Sequence, residues 1–242
     1  MSRLMLIVVA GLAAFGVAAA VVHFLVEPYN PGFAVYPLVT WTHVVLGAVY
    51  LTFAPVQLIG RIRARAIGYH RWAGRLLVPI GVLVGLSALF LGLVVPFSGR
   101  PERIVIGIFG GFFLISLVLG YVRVTQGRIG EHREWMLRAL AIGLSVATMR
   151  ALFIPALMIA GNPSNDQIAL LSVGSFTVAF LLHAAAAEWW IRRTRPRTRG
   201  HADDRSLSTV SAEPNPVPIS QGANKAARSG QRSWASIGET ND

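Results

Sequence analysis

The sequence predicts an all-α polytopic membrane protein: six transmembrane helices in a bundle, N-in/C-in, with one helical hairpin used twice. Three observations carry that expectation. Hydrophobic residues make up 54% of the 242-residue chain and charged residues only 14%, too little charge to cover a soluble domain of this length. The apolar residues fall in runs long enough to cross a ~30 Å hydrocarbon core. Between the runs, arginines gather on alternate loops, the asymmetry that orients membrane proteins. The net charge of +11 therefore reads as topology rather than as nucleic-acid binding, because the basic residues cluster between apolar runs instead of covering one face. The absence of cysteine excludes disulfides, thiolate metal ligands and cysteine nucleophiles.

The first run, Leu4 to Val26, has His23 as its only polar side chain. It is longer than a signal-peptide core of ~7–15 residues, so it reads as a retained helix; cleavage would leave five spans. Glu27 to Pro37 is a turn-rich connection. The second span runs from about Tyr36 to Gly60, and a basic loop with Arg61, Arg63, Arg65, Arg71 and Arg75 follows. The third covers Leu76 to Val95 and the fourth Ile104 to Val122, then a second basic loop carries Arg123, Arg128, Arg133 and Arg138. The fifth span extends from Met136 to Ala160. The sixth runs from Gln167 to Ile191 and ends in the interfacial pair Trp189-Trp190, followed by five more arginines from Arg192 to Arg199. The opposite loops hold only Arg100 and Arg103, with Glu102 between them. The positive-inside rule then puts both termini in the cytoplasm, in a multi-pass protein of the inner membrane. Residues 1–193 form the transmembrane domain. Residues 194–242 are poor in apolar side chains and are expected to be a disordered cytoplasmic tail. The expected partners are the lipid bilayer and, at the cytoplasmic face, anionic headgroups; a homo-oligomer is left open.

Two stretches organise the chain: Gly68-Tyr69-His70-Arg71-Trp72 and Gly130-Glu131-His132-Arg133-Glu134-Trp135. Each places a titratable, metal-competent side chain where a basic loop meets an apolar run. In the second span Thr40, His43, Gly47, Tyr50, Ala54 and Gln57 share one helical stripe, which in a bilayer turns toward other helices. Gly81, Gly85, Ala88 and Gly92, the pair Gly107 and Gly111, and Ser172, Ser175, Ala179 and His183 make similar stripes in later spans, read as close-packing faces. Arg150 lies deep in the fifth span, where an uncompensated arginine costs at least ~2.5 kcal/mol. Its depth matches that of His43, and His132, eighteen residues earlier, falls on the same face of a continuous helix. A polar cavity lined by His43, Tyr50, Gln57 and Arg150 is one expectation, and lipid-phosphate binding by a snorkelling Arg150 is the alternative.

The histidines read as two layers, with His70, His132 and His183 on the cytoplasmic side and His23 and His43 on the outer side. Imidazoles from different helices at two levels suit haem b ligation, with His43 and His23, or His183 and His70 or His132, as the pairs. The function classes this leaves are a redox membrane protein holding haem b or a quinone, a transporter-like protein with the polar cavity, and an accessory membrane protein. The absence of Gly-x-Ser-x-Gly, P-loop and His-Glu-x-x-His patterns, and of intramembrane carboxylates other than Glu188, argues against soluble-type hydrolase chemistry.

The segment from Thr40 to Arg150 resembles a known family. His43-x3-Gly47, Pro55-Val56-Gln57, the run His70-Arg71-Trp72-Ala73-Gly74-Arg75, and His132-Arg133-Glu134-Trp135-Met136-Leu137-Arg138 are similar, in that order, to the bacterial predicted membrane proteins grouped as domain of unknown function 2306. Ala54 stands where the family has a glycine before the proline. The resemblance implies a multi-helix membrane protein and brings no reaction, ligand or site with it. A looser likeness to cytochrome b561-type di-haem bundles rests on the layered histidines alone.

Overall fold

The computed structural model describes residues 3–25 and 31–195, without the side chains of residues 3, 20, 23–25 and 31. The tail from Pro196 onward and the connection 26–30 lie outside the described residues. All regular structure described is helical: α1 (Arg3–Leu25), α2 (Pro31–Val35), α3 (Pro37–Phe53), a 3₁₀ turn (Pro55–Leu58), α4 (Gly60–Arg65), α5 (Ile67–Val94), α6 (Arg100–Thr125), α7 (Ile129–Ala160) and α8 (Asn165–Thr194). Among the described residues five helices are long and apolar enough to cross a membrane: Pro37–Leu58, taken with its 3₁₀ turn, α5, α6, α7 and α8. The chain is thus a multi-pass integral membrane protein. For α1, the apolar stretch Leu4–Ala19 falls short of that length among the described residues.

Several helices run past the expected ends, whereas the second span, expected to reach about Gly60, leaves α-helix at Phe53. Both Gly-x-His-Arg stretches, expected as loops, form the first turns of long helices, α5 and α7. Their arginines, alanines, glutamates and leucines are good helix formers, so nothing stops the helix at the edge of the apolar run. Real stops have local causes. Pro55 sits at the start of the 3₁₀ turn that ends α3. Gly99, Gly127 and Gly161 take positive φ at the connections, a conformation glycine adopts without strain. Ser164 and Gln167 form a reciprocal capping box at the start of α8, satisfying two orphan donors.

Packing gives each helix a direction. His43 meets Val84 and Ser87 and Tyr50 meets Gly81, so α3 and α5 are antiparallel. Gly85 lies against Leu114, and Gly92 against Ile106, which fixes α5 antiparallel to α6. Gly120 lies against Met136, and Arg138 pairs with Glu188, continuing the alternation through α7 and α8. Helix α1 fits between α3 and α7: Gly16 lies against Leu51 and Ala147, and Ala13 packs with Leu140 and Leu144. The arginine-rich starts of α5 and α7 and the end of α8 therefore share one end of the bundle, called here the basic end.

The core joins α3, α5, α6, α7 and α8 through Tyr50, Leu77, Phe113, Leu117, Ala139, Ile142 and Phe180. Tyr50 is its centre. Its ring is 5% exposed, makes an edge-to-face contact with Phe113 at 5.7 Å, and is flanked by Gly81 and Gly143. A methyl group added at Gly81 would stand 2.9 Å from the Tyr50 ring, and one at Gly143 would stand 3.3 Å from it. The glycine stripe of α5 packs as its spacing suggests. On α6 the close contact falls at Gly110, against Leu89, and not at Gly111, which faces open space.

Candidate functional site

Depth can be counted from the Tyr50 ring, because it touches α5 and α7 at one level. His70 precedes Gly81 by eleven residues, and His132 precedes Gly143 by eleven. Eleven residues are three whole turns and ~16 Å, so both histidines lie on the Tyr50-facing side at the basic end. The two motif histidines, more than sixty residues apart in the chain, thus stand at one level at the same end of the bundle.

His132 is held in place by its neighbour. Its Nδ1 lies 2.8 Å from the Gly120 carbonyl oxygen of α6. A carbonyl only accepts, so Nδ1 carries the proton and, in the neutral ring, Nε2 is the acceptor. His43 is anchored the same way at the other end, with Nδ1 3.2 Å from the Val84 carbonyl oxygen and 3.3 Å from Ser87 Oγ. Ser87 in turn donates to the Leu83 and Val84 carbonyls at 2.7 and 3.0 Å.

Gln57 follows Tyr50 by seven residues, through the end of α3 and the 3₁₀ turn, a descent of ~12 Å toward the basic end. Both its Nε2 and its Oε1 are buried without a hydrogen-bond partner. Gly74 shares the helical stripe of His70 and Gly81, and no described atom comes within 4 Å of the place a Cβ would take there. Gln57, Gly74, His70 and His132 thus occupy neighbouring levels on the inner faces of three helices.

Seven residues from the same contact in the opposite direction lie His43 on α3 and Arg150 on α7, each ~10 Å away and each back on the Tyr50-facing stripe. Arg150 is half-buried, and its guanidinium donates only to the Val146 carbonyl of its own helix, at 3.4 Å. Among the described residues no carboxylate forms an ion pair with it. Gly47, between His43 and Tyr50, again faces open space among the described residues.

One histidine belongs to a different layer from the one expected. His183 Nε2 lies 2.8 Å from Thr148 Oγ1, and Thr148 follows His132 by sixteen residues on one continuous helix. That is ~24 Å, so His183 is not at the level of His70 and His132 and pairs with neither. Helix α8 continues eleven residues past His183, to Thr194, which sets the residue well inside the span. His23 lies on α1, with its side chain outside the described ones.

Sequence reasoning missed the ion pairs that join α7 to α8. Arg138 Nε donates to Glu188 Oε1 at 2.5 Å and its NH2 to Oε2 at 3.2 Å. Arg195 pairs twice with Glu134, at 2.7 and 2.5 Å, and Arg133 donates to Thr194 Oγ1 at 3.2 Å. Near the start of α7, Glu131 pairs with Arg123 and Arg128. A signal was present, since Glu134 and Arg138 are a turn apart and face Arg195 and Glu188, also spaced at whole turns. The carboxylates at the basic end are therefore engaged, while Gln57 and Arg150 have no such partner. Among the described residues no group of three or more histidine and carboxylate side chains is placed to hold a metal ion.

Architecture and apolar composition define a polytopic membrane protein with polar residues turned into the bundle. A family model described as "Predicted membrane protein (DUF2306)" matches residues 40–187, and the chain belongs to that family. Neither the curated proteins nor the solved structures contain a match to the chain.

Proposed function

We propose that the chain is a redox membrane protein that carries its redox group, a haem b or a quinone, at the basic end of the bundle. The observation that carries this reading is that His70 and His132 stand at one level on two long helices, with the His132 tautomer set by the Gly120 carbonyl. Imidazoles from helices on either side of Tyr50 would hold a haem b, and a carbonyl on Nδ1 is how such ligands are oriented. Haem would supply one-electron transfer there. The close contacts at Gly81, Gly85 and Gly110 confine such a group to the end of the bundle beyond Gly74.

The same reading takes α1 as a sixth span, since it packs antiparallel to α3, and turns the basic end to the cytoplasm by the positive-inside rule. The equal spacing from His70 to Gly81 and from His132 to Gly143 supports a hairpin used twice. Exposed Arg61, Arg63, Arg65, Arg71 and Arg75 beside exposed Tyr69 and Trp72 suit anionic headgroups and the interfacial aromatic belt.

Absorption spectra of the purified full chain, air-oxidised and dithionite-reduced, test the haem form. It predicts a Soret band that shifts on reduction and is lost in His132→Ala. A sample without the band and without extractable haem eliminates that form; if it binds no quinone either, the redox reading falls.

A second reading has its own observation. Arg150 lies on the interior stripe without a carboxylate, level with His43, which suits a transporter-like path for an anion. Uptake or growth unchanged in the His43→Ala, Arg150→Ala double variant would remove it.

A further inference from the structure

We propose that the basic-end site takes the headgroup of a quinone, seated between the Gln57 carboxamide and Nε2 of His132. The inference rests on the reading of that end as a redox site and names what occupies it. A side-chain amide whose donor and acceptor are both buried and both unmet is unusual in a folded interior, where such atoms almost always find a partner. The stripe of α5 facing the same level has room at Gly74, and His132 offers an acceptor because its other nitrogen is committed to Gly120.

The chemistry of these groups selects the ligand class. Gln57 is uncharged and presents an N–H donor beside a carbonyl acceptor. His132 adds a second acceptor. A quinone carbonyl would take the Gln57 N–H, and in the reduced form a quinol hydroxyl would donate to His132 Nε2. The surroundings are apolar, with Leu77 and Ala73 buried on the same helix, and suit a ring that arrives from the lipid phase. An anionic ligand would favour a cation, and the arginines of this end pair with carboxylates, as Arg138 does, bond a hydroxyl, as Arg133 does, or are exposed, as Arg71 and Arg75 are. The position near a membrane boundary is where a headgroup can reach protein while its tail stays in hydrocarbon. The Pro-Val-Gln, His70 and His132 segments, which carry the family resemblance, all contribute to this one place.

The test uses the full chain in nanodiscs of quinone-free phospholipid, titrated with short-tailed ubiquinone and menaquinone analogues and followed by quenching of tryptophan fluorescence. Saturable quenching is expected for the unmodified chain. Gln57→Leu, which removes both amide atoms, and Gly74→Leu, which fills the open space, should each weaken binding about tenfold or more. Glu134→Ala, in the α7–α8 seam, should bind as the unmodified chain does. Should Gly74→Leu fail to fold, Gln57→Leu decides, because leucine at a buried unpartnered amide leaves the fold intact. Absence of saturable quenching with either analogue, or binding by Gln57→Leu within twofold of the unmodified chain, overturns the proposal. Spectra of the same samples separate the two levels of inference. Haem without quinone binding sinks this proposal and keeps the redox reading, whereas Gln57-dependent quinone binding without haem keeps this proposal and removes the haem form.

Discussion

Helix α7 meets its neighbours in two different ways. On the side facing α8 its polar groups are paired: Arg138 with Glu188, Glu134 with Arg195, Thr148 with His183. On the side facing the Tyr50 ring lie His132, with one nitrogen left to accept, and Arg150, whose hydrogen bond among the described residues is to its own helix, while the Gln57 amide on the facing chain segment has no hydrogen-bond partner among them. A satisfied seam holds helices together. Polar groups left unmet in an interior cost stability, so the second face makes sense as a place where something else binds.

That contrast can be broken by mutation, because the two faces predict opposite signs. The largest effect is expected where backbone approach leaves no room. Gly85→Val should destabilise by about 3 kcal/mol through overpacking, since even a methyl group there would stand 2.5 Å from Leu114 and 3.0 Å from Phe113. In the seam, Glu188→Ala should cost about 2 kcal/mol. It strands the Arg138 guanidinium, whose side chain is 12% exposed against 39% for Glu188. A double-mutant cycle with Arg138→Ala should recover a coupling of about 1 kcal/mol or more. On the interior face Gln57→Leu should instead stabilise by about 1 kcal/mol, as an unpaired amide gives way to an apolar group of similar shape. The smallest change belongs to Glu134→Ala, within about 1 kcal/mol, because its partner Arg195 is 57% exposed. Unfolding midpoints of the purified variants in one detergent check all four.

Much of the architecture could be read from composition and spacing, because lipid enforces long apolar helices and gathers charge at their ends. The α3 stripe from His43 to Gln57 was legible for the same reason, and the structure lays it along α5 and toward α7. Helix ends were harder. The His70 and His132 segments look like loops when only hydropathy is considered, yet their residues favour helix and no proline or positive-φ glycine interrupts them. The level of His183 follows from its contact with Thr148, and sequence does not say which residues of two helices stand side by side. Gly110 rather than Gly111 makes the close contact, since which of two adjacent glycines touches depends on the rotation of α6. The partners of the α7–α8 ion pairs are spaced at whole turns on each helix, but sequence does not say which helices are neighbours.

The contrast between the two faces of α7 is tested most directly by the unfolding temperature of Arg150→Met beside that of Glu188→Ala. If the interior arginine serves a ligand and not the fold, Arg150→Met unfolds at the same temperature as the unmodified chain or higher, while Glu188→Ala unfolds at a lower one. A drop for Arg150→Met as large as that for Glu188→Ala would contradict this account, making Arg150 one more structural partner in the bundle.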